Sequence, residues 1–112
     1  MLLNPDTIAA IATPPGNGGV GIIRISGTQV TEIAKHLLNK SLTPRHALFT
    51  SFIDNDGCII DSGISLYFPA PASYTGEDIL ELQGHGGSVV LDMLLRRVLS
   101  LGARLANPGE FT

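Results

Sequence analysis

Two charged residues stand in stretches that otherwise read as apolar β-strand. Arg24 is flanked by Ile22, Ile23 and Ile25, and Glu81 lies between Leu80 and Leu82. A cation in such a run must snorkel to water, meet a carboxylate or meet a ligand anion. Side chains alternate along a strand, so Asp78, Leu80 and Leu82 are expected on one face and Ile79, Glu81, Gln83 and His85 on the other. Three polar groups on one face, running into Gly84, Gly86 and Gly87, suggest a site. A strand with one solvated face accounts for the same pattern. For Arg24 and Glu81 three alternatives stand open: independent edge residues, a structural ion pair, or convergence on a bound molecule. Such a molecule would be anionic or carbonyl-bearing at one end and amidine-like at the other. The guanidinium offers a fixed fork of donors, and a carboxylate accepts two donors at once.

The other reactive residue types suggest less. His85 has no second His, Cys or carboxylate at zinc-like spacing, so no metal is expected. Cys58, the single cysteine, has no general base beside it and reads as a small strand side chain. One cysteine rules out an internal disulfide and suits a reducing compartment. No residue is assigned a catalytic role. Gly16, Gly18 and Gly21 satisfy G-x-G-x-x-G after an expected strand. Pro14 and Pro15 intervene, however, and residues 22–25 continue as β instead of opening a helix that could hold a pyrophosphate. A tight strand-to-strand connection is the expectation. There is no G-x-x-x-x-G-K-[ST], so the chain is not itself a P-loop nucleotidase.

The elements that must hold Arg24 and Glu81 follow from hydrophobic periodicity. Residues 7–13 read as a buried strand stopped by the two prolines, and residues 20–26 as a second strand. Residues 29–38 form a short amphipathic helix with Val30, Ile33, Ala34, Leu37 and Leu38 inward, capped by Ser26 or Thr28. Residues 47–53 and 58–60 flank the turn at 54–57 as a hairpin. Residues 64–68 make another strand, and residues 78–83 the strand that carries Glu81 after the Thr75-Gly76 turn. Residues 88–101 form the strongest helix, with Val90, Leu91, Leu94, Leu95, Val98 and Leu101 as its stripe. Asp92 and Arg96 pair at i,i+4 and Gly102 ends it. Residues 103–106 are a last short strand. The ordering predicts one α+β domain over residues 1–112, a mixed sheet with two or three helices packed on one face.

Composition narrows the partners. Of 112 residues, 44% are hydrophobic and 15% charged, and mean hydropathy is +0.27. Excess apolar surface on a small domain is expected to end against a second copy or a neighbouring domain. Net charge is −3, with only seven Lys and Arg. That excludes a basic stripe able to grip nucleic acid strongly. Arg96, Arg97 and Arg104 could form a small local patch against RNA, or simply a solvated helix face. The N-terminus lacks a basic region followed by an apolar run, and no stretch reaches membrane-spanning length. A cytoplasmic protein is expected. The ending at Phe111-Thr112, without a polar tail, suggests a piece of a longer protein.

Three stretches carry a family resemblance: residues 6–27 (DTIAAIATPPGNGGVGIIRISG), residues 68–69 with 74–87 (FP, then YTGEDILELQGHGG), and residues 107–112 (NPGEFT). They resemble the N-terminal domain of the MnmE (TrmE) family of tRNA modification GTPases. The resemblance covers essentially the whole chain, with residues 39–62 generic. It implies a domain similar to the folate-binding module of the glycine-cleavage T-protein group. It also implies a homodimer with a tetrahydrofolate derivative, 5-formyl- or 5,10-methylene-tetrahydrofolate, near the interface. The family's folate-binding arginine and glutamate match Arg24 and Glu81. A family lysine shortly after the NPGEFT motif falls beyond Thr112. The GTPase domain, with its GTP, magnesium and potassium, and the C-terminal cysteine of the family also lie outside this sequence. Full-length relatives act with the flavoprotein MnmG on the tRNA wobble uridine.

Overall fold

The computed structural model describes residues 7–12, 19–71, 73, 76–85 and 87–111. Among them run β1 (Ile8–Ile11), β2 (Val20–Ser26), α1 (Val30–Leu37), β3 (Leu48–Ile53), β4 (Ile59–Phe68), β5 (Ile79–His85), α2 (Ser88–Ser100) and β6 (Arg104–Leu105). The strands form one sheet in the order β3-β4-β5-β2-β1-β6. All neighbours are antiparallel except β1 and β6, which run parallel. This is the expected mixed α+β sheet, with two helices among the described residues.

Alternation sorts the central strands into two faces. Ala9, Ile23, Ile25, Leu80 and Leu82 are buried on one of them, with Phe52 from β3. Val30, Ile33 and Leu37 of α1 and Leu91, Leu94 and Val98 of α2 complete the same cluster. Both helices therefore cover one sheet face, the packing that two amphipathic stripes and one apolar face require. Of the expected α2 stripe, Val90, Leu95 and Leu101 are only half-buried. Phe52 is fully buried at the β3 side. Phe52→Ala is expected to cost about 3–5 kcal/mol by lost burial plus cavity, read as a lower urea midpoint at unchanged slope.

Four local expectations change. Residues 58–60 and 64–68 are not separate strands: β4 is one ten-residue strand running through Asp61-Ser62-Gly63. Those weak β-formers read as a break, but the ladder to β3 pairs all three and holds them extended. Cys58 lies just before β4 and is exposed, so it is not a strand residue. Strand β5 continues past Gln83 through Gly84 to His85, because Gly84 and His85 pair with Gly21 and Val20. Neither Ser26 nor Thr28 caps α1. Its N-cap is Gln29, whose backbone N–H donates to Thr7 Oγ1 at 2.9 Å. A side chain distant in sequence thus does what a local cap would. The turn at 54–57 is as expected: Asp54 Oδ1 accepts the N–H groups of Asp56 and Cys58. The glycine loop at residues 16 and 18, its prolines, Thr75 and Gly86 lie outside the described residues.

Candidate functional site

Arg24 and Glu81 face each other directly across adjacent central strands. In the β2–β5 ladder Arg24 pairs with Glu81 and Ile22 with Gln83. Both polar positions belong to the sheet face opposite the helices. The Arg24 Nε and Nη2 donate to Glu81 Oε2 at 3.1 and 2.8 Å. Gln83 Nε2 donates to Glu81 Oε1 at 2.9 Å. The Arg24 and Glu81 side chains are 29% and 14% exposed, so the pair is partly desolvated. Their cross-strand neighbours are apolar: Ala10 opposite Arg24, Leu66 opposite Glu81 and Ile64 opposite Gln83.

This geometry removes the alternative of independent edge residues. A structural ion pair and a pair prepared for a ligand share it. Oε2 accepts both Arg24 bonds and Oε1 the Gln83 bond, so Glu81 keeps one lone pair, on Oε1, while its orientation is fixed from both sides. Removing Glu81 would deprive Arg24 of this ion pair, and removing Arg24 would leave the partly buried Glu81 carboxylate with the Gln83 amide. In the sequence Gln83 reads only as one of three polar residues on the strand. Its i+2 spacing from Glu81 on one face was the signal for a direct contact.

A second polar cluster closes the far end of β5. Asp61, with a side chain 9% exposed, lies 2.6 Å through Oδ1 from His85 Nδ1. Its Oδ2 accepts the His85 backbone N–H at 2.8 Å, and Oδ1 accepts that of Ser62 at 2.8 Å. Burial alone would raise the Asp61 pKa. The hydrogen bonds from His85 backbone and ring and from Ser62, with the nearby imidazole, outweigh it and hold the carboxyl below its ordinary value. Asp61 escaped the sequence reading because it was placed in a gap between strands.

A carboxyl depressed by folding stabilises the fold above its unfolded pKa of about 3.9, and that contribution is lost as pH falls through the folded value. Asp61→Asn is therefore expected to lower the thermal midpoint at pH 7. The gap from the parent should narrow as pH falls below about 4, which scans across the acid range would read.

The three arginines of the possible RNA patch are each bonded within the fold. Arg96 pairs with Asp92 at 2.8 Å, as the i,i+4 spacing predicted. Arg97 donates to the backbone oxygens of Ile53 at 3.0 Å and His36 at 3.1 Å, tying α2 to β3 and α1. Arg104 holds Glu110, which this hydrogen bond and the Asn107 backbone N–H keep below its ordinary pKa. Among the described residues no group of three or more His, Cys, Asp or Glu is placed to hold a metal. No described helix is long and apolar enough to cross a membrane.

A family model described as GTP-binding protein TrmE N-terminus matches residues 7–112. The chain belongs to this family. It is 64% identical over 107 residues to the tRNA modification GTPase MnmE of Nitrosomonas europaea, covering 96% of this chain and 24% of that protein. Identity to the MnmE of Methylococcus capsulatus is also 64% over 107 residues, with the same two coverages. To that of Neisseria meningitidis serogroup B it is 62% over 109 residues, 97% of this chain and 24% of the relative. The chain thus spans about a quarter of the length of these relatives. In this chain Arg24 and Glu81 lie on β2 and β5, two neighbouring strands at the middle of the sheet.

Proposed function

We propose that this chain is the tetrahydrofolate-binding and homodimerisation module of a tRNA modification GTPase. The observation that carries the reading is the Arg24–Glu81–Gln83 strip on a sheet face that no described helix covers. A pterin presents a ring N–H and an adjacent amino group on one edge, two donors side by side. A carboxylate accepts such a fork, the mirror image of arginine recognising a carboxylate. Glu81 supplies that acceptor and Arg24 serves a carbonyl or carboxylate of the same ligand. The ligand is a one-carbon derivative, 5-formyl- or 5,10-methylene-tetrahydrofolate, held as in the folate-binding module of the glycine-cleavage T-protein group.

Half-buried Ile22, Ile64, Leu66 and Phe68 on that face supply the apolar surface for a second copy. Sedimentation of the concentrated chain is expected to show a dimer, and monomer alone would count against the assembly. The complete protein, on this reading, is cytoplasmic and hydrolyses GTP in a domain beyond this sequence. With MnmG it adds an aminomethyl or carboxymethylaminomethyl group to carbon 5 of the tRNA wobble uridine. The name of the relatives, tRNA modification GTPase, supports the tRNA-modifying and GTP-hydrolysing parts of this reading.

One observation favours a second reading, a purely structural dimerisation domain: Glu81 is already satisfied by Arg24 and Gln83. Calorimetry with 5-formyltetrahydrofolate separates the two. It should be run on this chain and on a form continued past Thr112, where the family's further lysine falls. Saturable binding in the longer form supports the folate module, and its absence there leaves the structural pair.

A further inference from the structure

The helix side of the sheet holds a second opening, far from the Arg24–Glu81 strip. A cleft of about 540 Å³ lies between α1, the segment following it and β4. The chain has two lysines, Lys35 and Lys40, and both line this cleft. Among the described residues no Asp or Glu lines it. In a chain of net charge −3, that is a local reversal of sign.

The polar groups of the lining are predominantly donors. Lys40 Nζ donates to the Phe49 backbone oxygen at 2.8 Å, which anchors the ammonium and leaves two of its N–H groups for another acceptor. Asn39 Oδ1 accepts from Thr50 Oγ1 at 2.6 Å and from the Ser51 backbone N–H at 3.2 Å. A backbone N–H can only donate, so the amide orientation is fixed and what Asn39 offers elsewhere is its NH₂. Thr31 and Ser41 add hydroxyls. Lys35 lies 3.5 Å from Glu32, but both side chains are more than half exposed and such a pair holds weakly. Leu38, Leu42 and Tyr67 make the apolar part of the wall. Burial first, and then the Asp78 carboxylate, push the Tyr67 phenol up, so it stays neutral.

We infer that this cleft binds a phosphate ester carried on an apolar or planar body about the size of a mononucleotide. Two compact ammoniums with donors from separate segments suit a tetrahedral, doubly charged anion; a planar carboxylate would call for a guanidinium fork. The volume lies within the range of small-molecule sites. A free nucleotide carries such a doubly charged monoester, and one nucleotide of an RNA strand presents a singly charged diester on the same kind of body.

The test is titration of the ¹⁵N-labelled chain with inorganic phosphate, adenosine 5′-monophosphate and a short single-stranded RNA. The monophosphate is expected to move the amide signals of Thr31, Leu38 and Leu42 saturably, and to bind roughly tenfold tighter than inorganic phosphate. Lys35→Ala with Lys40→Ala, both on the surface, should weaken it by roughly tenfold or more. Arg96→Ala, a cation outside the cleft, should leave it unchanged, which separates binding here from general attraction to positive charge. RNA binding tighter than the monophosphate and lost in the double variant assigns the strand as source; equal or weaker binding assigns the free nucleotide. Unmoved signals at these three residues, or a double variant that binds like the parent, overturn the inference.

Discussion

Gly63→Ala is expected to destabilise the chain by roughly 3 kcal/mol or more, and Gly63→Val to abolish folding. A Cβ at this position would lie 2.0 Å from the Gln83 carbonyl oxygen, 3.0 Å from its carbon and 3.1 Å from Gly84 Cα. Every one of these atoms is backbone of β5, so no side chain can rotate away. Relief would require β4 and β5 to separate where Ile64 pairs with Gln83. The displacement would reach the site, because Gln83 holds Glu81 and Glu81 pairs with Arg24. A domain stable by about 5–15 kcal/mol has little margin for such a loss. Urea unfolding followed by circular dichroism reads it. Gly19→Ala, whose Cβ would meet nothing within 4 Å, serves as the control and should stay within about 0.5 kcal/mol of the parent. A Gly63→Ala midpoint equal to that control would mean that β4 and β5 do not approach as closely as described.

How much of this was legible in the sequence depends on how local the cause was. The i, i+3, i+4 stripe of α2 announced the helix, and Asp92–Arg96 closed as spaced. Alternation put Glu81 and Gln83 on one face and Leu80 and Leu82 on the other, as the burial confirms. The meeting of Arg24 with Glu81, 57 residues apart in sequence, is a matter of register between β2 and β5. Each residue looked out of place alone, but nothing local fixes a pairing across strands. Where residues contradicted their own propensity, tertiary contacts decided. Asp61, Ser62 and Gly63 sit in mid-strand because the β3 ladder holds them and because Asp61 answers His85. The cap of α1 was missed for the same reason, since its acceptor, Thr7, belongs to the segment before β1. The cleft beside Lys35 and Lys40 needed coordinates altogether, because it forms where the end of α1 passes β4.

Glu81→Ala and Arg24→Ala are each expected to weaken 5-formyltetrahydrofolate binding by about 2–5 kcal/mol, a loss of roughly thirtyfold to several thousandfold. Each truncation removes a ligand contact and also leaves the remaining charge of a partly buried pair without its partner. Binding alone therefore cannot distinguish a direct contact from a collapsed neighbour, and three further measurements do. Glu81→Gln keeps the size of the side chain but replaces one acceptor oxygen with a donor group. Facing a pterin's paired donors, it should lose nearly as much affinity as alanine while costing the fold less. Gln83→Ala should weaken binding by a smaller factor, since it only releases Oε1. The third measurement is stability. If the pair were purely structural, each single alanine would destabilise the ligand-free chain strongly, and Arg24→Ala combined with Glu81→Ala would recover most of that loss. If it is a binding pair, the single alanines lose more in folate binding than in the stability of the ligand-free chain, and the double variant folds but binds no folate. Saturable folate binding that survives Arg24→Ala and Glu81→Ala intact would place the pterin elsewhere, and the uncovered face would then be an apolar surface fastened by one ion pair.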